Sequence, residues 1–156
     1  MRKYLLSALV FLMACTPRQE VTQRFDNWTG FSETVTPEYE ILRDNRAIMT
    51  VRGILIARDG QRGFAVLTRI RRLDPNGPLV LEMRSGDIRL DYRRNDRLLT
   101  QCQDRCRRSE TGAILMSEAT FRQAAATGLP LRISGRRQRY EATIPARLFQ
   151  AILNTL

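Results

Sequence analysis

Apolar and polar residues alternate along most of the chain with a period of two, the spacing of strands with one buried face. Ala47 to Ala57 is rich in Ile, Met, Val and Leu, stops at Arg58-Asp59-Gly60-Gln61, and resumes from Phe64 to Leu73, where Phe64, Val66, Thr68 and Ile70 share a face. An Asp-Gly pair between two such runs predicts a hairpin, because both central residues of the tightest turn need positive φ. Asp74-Pro75-Asn76-Gly77-Pro78 predicts a turn, Leu79 to Met83 a short strand, and Ser85-Gly86-Asp87 another turn. Ile88, Leu90 and Tyr92 then alternate with Arg89 and Asp91, which predicts one strand with the three apolar residues inward. Arg94-Asn95-Asp96-Arg97 reads as a further turn into Leu98 to Cys102.

Near residue 113 the period changes. Ala113 to Met116 reads as a strand, Ser117 as a helix N-cap, and Glu118 to Thr127 as a short helix with Phe121, Ala124 and Ala125 inward, closed by Gly128. Leu129, Leu131 and Ile133 alternate again, Gly135-Arg136-Arg137-Gln138 turns, and Tyr140, Ala142 and Ile144 form the returning strand. Pro145 suits the first turn of a last helix whose Leu148, Phe149, Ile152, Leu153 and Leu156 make one apolar stripe. Arg147 is almost the only cation opposite that stripe, so the helix is expected to dock on the sheet rather than lie on a membrane. The fold class expected is α+β: an antiparallel β meander or sandwich with two short helices in the C-terminal part. Phe25, Trp28 and Phe31, close together ahead of the strands, read as the start of the core.

The first residues do not belong to this pattern. Arg2 and Lys3 precede an uncharged run, Leu5 to Ala14, that Thr16, Pro17, Arg18, Gln19 and Glu20 end. A charged head and an apolar body are the layout of an export signal. The run is about half the ~20 residues a transmembrane helix needs. At its end, Leu12-Met13-Ala14-Cys15 resembles the lipobox of bacterial lipoprotein precursors, with Met13 in place of the usual small residue. The resemblance implies that the Cys15 thiol receives a diacylglycerol, that cleavage falls before it, and that the freed amino group is acylated as well. Several acyl chains anchor stably where one holds only marginally. It further implies a bacterial envelope location, and Thr16 after the cysteine favours the outer membrane, facing the periplasm. The organisation expected is a signal peptide at 1–14, a lipidated cysteine and tether at 15–24, and a single α+β domain at 25–156.

Charge and composition narrow the chemistry. The chain has no histidine, which excludes Ser-His-Asp and Cys-His catalysis. Its net charge is +10, and every cation after Lys3 is arginine. Residues 18–68 carry seven arginines and seven acids, while residues 69–156 carry seventeen and nine, so the cationic excess lies in the second half. In an envelope the anions available to such a surface are lipid headgroups, lipopolysaccharide phosphates and acidic polysaccharide, and nucleic acid is not an expected partner. The densest cluster is Arg132, Arg136, Arg137 and Arg139 around a hairpin tip, offset by Glu141. It is either a solubilising turn or an anion grip. Arg69-Arg71-Arg72 and Arg105-Arg107-Arg108 have the same two readings, and could lie across neighbouring strands.

With Cys15 lipidated, Cys102 and Cys106 remain as a pair in an oxidising compartment and are expected to form a disulfide, with a redox or copper-binding CxxxC as the alternative. The bridge requires Gln103-Asp104-Arg105 to turn, since extended chain would hold the two Cα atoms ~13 Å apart. The order CxxxC, strand, short helix, strand, strand, terminal helix resembles the layout of the C-terminal half of the periplasmic invasion-associated locus B family. The cysteine spacing differs, and no function is carried across. Asp87, Asp91 and Asp96 fall among arginines, no GxSxG or SxxK occurs, and Gly60-Gln61-Arg62-Gly63 is no phosphate loop. The function expected is therefore non-enzymatic, without metal or cofactor: a lipid-anchored domain that contacts an envelope protein or polymer, or else an arginine-rich module for lipopolysaccharide or acidic polysaccharide.

Overall fold

The computed structural model describes residues 20–72, 80–102, 106–135 and 138–156. In chain order its elements are β1 (Thr22–Asp26), β2 (Phe31–Val35), β3 (Tyr39–Arg43), β4 (Ala47–Arg58), β5 (Gln61–Arg72), β6 (Val80–Ser85), β7 (Ile88–Arg89), β8 (Asp91–Cys102), β9 (Cys106–Met116), α1 (Glu118–Thr127), β10 (Leu129–Gly135), β11 (Arg139–Ile144) and α2 (Ala146–Leu153). They form two antiparallel sheets and two short C-terminal helices, an α+β fold. The larger sheet runs β1-β2-β4-β5-β9-β8, with β3 sharing the edge of β4 with β2; the smaller runs β11-β10-β6-β7.

β4 and β5 pair over their whole length around Asp59 and Gly60, both at positive φ, as the Asp-Gly signal requires. Their inward residues, among them Met49, Val51, Leu55, Phe64, Val66 and Ile70, are buried. The smaller sheet covers one end of that face, where Leu42, Met49, Ile70, Val80, Ile133 and Tyr140 meet. The helices cover the other. Phe121 of α1 lies between Phe64, ring centroids 5.0 Å apart, and Phe149 of α2, 4.9 Å away edge-on. α2 comes down directly on β4 at Gly53, where a Cβ would stand 2.8 Å from Leu148 Cδ2. Ser117 caps α1 by accepting from the Thr120 N–H at 3.2 Å, and Gly128 leaves the helix at φ 77°.

Four expectations need correction. The stretch Ile88–Tyr92 is not one strand. Leu90 interrupts it, β7 pairs with β6 and β8 with β9, so the chain changes sheets there, and Ile88 is 71% exposed rather than inward. The polar run Arg94–Arg97 is not a turn but part of β8, where the register shifts between Asn95 and Leu99. On the sheet's outermost strand a bulge absorbs polar residues that a central strand would not. Phe25 and Trp28 do not start the core: they are 68% and 97% exposed at the β1–β2 turn. Finally, β1 begins at Thr22, inside the stretch read as tether.

A candidate binding trough on the outer face of the large sheet

Register brings together residues that are scattered in sequence. Across β4, β5, β9 and β8 one row is Thr50, Arg69, Thr111 and Asn95, and the next is Arg52, Leu67, Ala113 and Arg93. Paired residues in an antiparallel sheet share a face, and both rows point away from the core. They floor a concavity of about 570 Å³, completed at one side by Glu38 from the segment between β2 and β3. A second hollow of about 320 Å³, beneath β1 and β2, shares Arg52 and Leu67 with the first and extends it into one trough.

Charge is unevenly spread along it. The extension holds Glu20 and Glu33 against Arg24 and Arg52. Among the described residues Glu38 is the one carboxylate lining the main concavity, against Arg52, Arg69, Arg93 and Arg94. The Thr50 hydroxyl donates to Glu38 Oε1, and the Arg52 guanidinium lies 3.5 Å from Oε2. That hydroxyl first, then the charges of Arg52 and Arg69, hold the Glu38 carboxyl below its ordinary range despite partial burial. Arg93 leans on Asp91 at 3.3 Å with most of its side chain in solvent. The middle of the trough is thus a cationic floor with an apolar centre at Leu67 and Ala113.

Of the arginines singled out from sequence, Arg69 lines the trough, and the two described ones of the hairpin-tip cluster do not. Arg132 is exposed on β10 and Arg139 opens β11; Arg136 and Arg137 lie outside the described residues, as does Cys15. Across the smaller sheet, register sets Glu141, Arg132, Arg84 and Arg89 in a row. Glu141 lies 3.8 Å from Arg132, and Glu82 lies 3.2 Å from Arg84 and 3.8 Å from Arg89. This face is an interleaved set of opposite charges, less available to an anion than the trough. Of Arg69-Arg71-Arg72 and Arg105-Arg107-Arg108, register sets Arg72 opposite Arg108, while Arg69 and Arg71 pair with Thr111 and Ser109; Arg105 lies outside the described residues. Cys102 and Cys106 are register partners at the outer ends of β8 and β9, and their side chains and the turn expected at Gln103-Asp104-Arg105 lie outside what the structure describes.

One buried polar group was not visible in the sequence. Glu110, 2% exposed on the inward face of β9, accepts from the Tyr92 hydroxyl at 3.1 Å and from the Val80 N–H at 3.1 Å, so it ties β8 and β9 to the first residue of β6. The Tyr92 ring lies so close over Gly112 that any Cβ there would overlap it. Burial, and then the charge of Glu110, push the Tyr92 phenol well above its ordinary range. The buried Thr68 hydroxyl nearby has no hydrogen-bond partner at good geometry. Among the described residues no three His, Cys, Asp or Glu side chains gather as a metal site, and no helix is long and apolar enough to cross a membrane. Comparison with family models, curated proteins and solved structures found no match.

Proposed function

We propose that this chain is a lipid-anchored protein of the bacterial envelope whose domain holds a phosphate- or carboxylate-bearing envelope polymer in the trough, without chemistry of its own. The anchor reading is supported by the charged head, the short apolar run and Leu12-Met13-Ala14-Cys15. The binding reading is carried by one observation: Arg52, Arg69 and Arg93 share the main concavity, where Glu38 is the one lining carboxylate among the described residues. Guanidinium groups donate in a planar fork that matches phosphate and carboxylate oxygens, and the sheet fixes the spacing of the backbones that carry them, so binding has only the side chains to order. Leu67 and Ala113 between them offer an apolar strip for the face of a sugar ring.

The domain is expected to bind lipopolysaccharide or an acidic polysaccharide with an affinity that falls steeply as salt rises, because exposed guanidiniums are screened within about 8 Å at physiological ionic strength. Retention of full affinity at high salt contradicts charge-driven capture. Mass spectrometry of membrane-extracted protein tests the anchor separately: loss of residues 1–14 and an acyl mass on Cys15 are expected, and unmodified Cys15 in soluble protein contradicts it.

A further inference from the structure

Three donors converge at one side of the main concavity. Thr50 and Arg52 point outward from β4, two residues apart, and Arg69 lies opposite Thr50 on β5, so the three side chains stand together on one face. They meet the Glu38 carboxylate, which has two oxygens to offer. Oε1 accepts from the Thr50 hydroxyl, and Oε2 lies 3.5 Å from the Arg52 guanidinium. Arg69 acts on Glu38 through charge alone and forms no ion pair among the described residues. The backbone that carries Glu38 is clamped on both sides: Thr36 exchanges two hydrogen bonds of 2.9 Å with Gly53, and Tyr39 pairs with Val51. The Glu38 side chain keeps 33% of its surface in solvent, so rotation about its own bonds releases the carboxylate without moving the chain.

We infer, on the reading that the trough is the binding site, that Thr50, Arg52 and Arg69 form a subsite for the phosphate monoester of a sugar, which Glu38 fills until such a group displaces its carboxylate. A ligand carboxylate would replace like with like: one charge and two oxygens leave, and one charge and two oxygens enter. It would also compete with a group tethered beside the site, whose effective concentration is on the order of millimolar. A phosphate monoester brings three terminal oxygens and nearly two charges at neutral pH. Its oxygens match the Thr50 hydroxyl and the guanidiniums of Arg52 and Arg69 one for one, and its second charge answers the arginine that Glu38 leaves over. Leu67, the cross-strand partner of Arg52, lies on the same face to carry the sugar ring. Glu38 therefore raises the threshold for every anion by one factor, and Arg69 decides which anion clears it.

Glucose 6-phosphate and glucuronate carry the two anions at the same end of the same ring. Titration calorimetry of the full protein in nonionic detergent should find the phosphate bound at least about tenfold tighter, the factor that one charge-assisted hydrogen bond supplies. Arg69→Gln should abolish most of that preference. Arg93→Gln removes the same charge from β8, across the concavity, and should shift both sugars by one factor, keeping the preference. Glu38→Gln should tighten both sugars equally, because a single internal competitor is removed from each. Equal affinity of the wild type for the two sugars overturns the inference, as does an Arg69→Gln that weakens both alike or a Glu38→Gln that weakens either. Lipopolysaccharide binding by the same preparation is read separately. Bound lipopolysaccharide with no preference between the sugars, or with neither bound, sinks the subsite and leaves the trough as the polymer's site; failure to bind lipopolysaccharide and both sugars sinks the two together.

Discussion

Tyr92 and Glu110 share a partly buried hydrogen bond, and the Tyr92 phenol contributes to how the domain meets alkaline conditions. The folded state holds the Tyr92 proton more tightly than the unfolded chain does, whose phenol titrates near 10.0. Its contribution to stability is complete below pH 10 and is lost as pH rises above it, because the unfolded state then releases a proton that the folded state keeps. Tyr92→Phe should cost about 1 kcal/mol at pH 7, where Glu110 loses a donor, and should flatten the decline between pH 10 and 11 in urea unfolding. A variant with the wild-type alkaline slope would show that Tyr92 is not the group responsible. Glu38 works in the opposite direction and in the site. Its lowered carboxyl stays charged down through the ordinary value of 4.5, so the stability it brings is present above that pH and fades as pH falls further. At neutral pH it offsets one arginine of the trough. Glu38→Gln should therefore tighten binding of an anionic polymer about 5-fold, the factor that ~1 kcal/mol of removed repulsion supplies. Weaker binding would make Glu38 part of the grip instead.

At the scale of elements, both helices are held by the core beneath them. Phe121→Ala should destabilise by about 3–5 kcal/mol, since its ring fills the space between Phe64 and Phe149. Gly53→Ala should cost about 1–3 kcal/mol by pushing α2 off β4. Thermal or denaturant unfolding reads both, and a neutral Gly53→Ala would mean that α2 shifts freely. These helices were legible in the sequence down to Phe121, Ala124, Ala125 and the Ser117 cap, because a short amphipathic helix between a capping residue and a glycine carries all its signals locally. The β4–β5 hairpin was legible for the same reason. What was not legible depends on register. Arg52 and Arg93 are isolated outward-facing charges, Arg69 stood out only as part of the run Arg69-Arg71-Arg72, and only pairing aligns the three on one face. The run of arginines near the β10–β11 turn was conspicuous in sequence, yet the two of them that are described lie on a face interleaved with glutamates. Phe25 and Trp28 were misplaced because aromatic density signals burial only where the chain has something to bury against. The β8–β9 hairpin was hidden by its polar bulge. If Cys102 and Cys106 are bridged, reduction should speed amide exchange at the outer end of this hairpin, while β4 and β5 keep their protection; unchanged exchange there would remove the structural role assigned to the pair.

For the whole molecule, the proposals fit one arrangement. In the proposed arrangement acyl chains at Cys15 would tether the domain to the lipid surface; the trough lies about 20 Å along the strands from the β4–β5 turn, counting residues from Arg58 to Arg52 at the rise of a β-strand, and the outer end of the β8–β9 hairpin lies beyond it. Such an arrangement suits a protein that holds polymer close to the membrane that anchors it. Three arginines on strands of the trough, Arg52, Arg69 and Arg93, and three on the smaller sheet, Arg84, Arg89 and Arg132, differ in what neutralises them. The most direct test exploits that match: salt-titrated binding of lipopolysaccharide by the wild type, by Arg52→Gln/Arg69→Gln/Arg93→Gln, and by Arg84→Gln/Arg89→Gln/Arg132→Gln. Each variant removes three positive charges. Loss of at least tenfold in affinity confined to the trough variant is the expected result, with the second variant close to wild type. Equal losses in the two would mean that net charge alone draws the polymer, and the trough would not be its site.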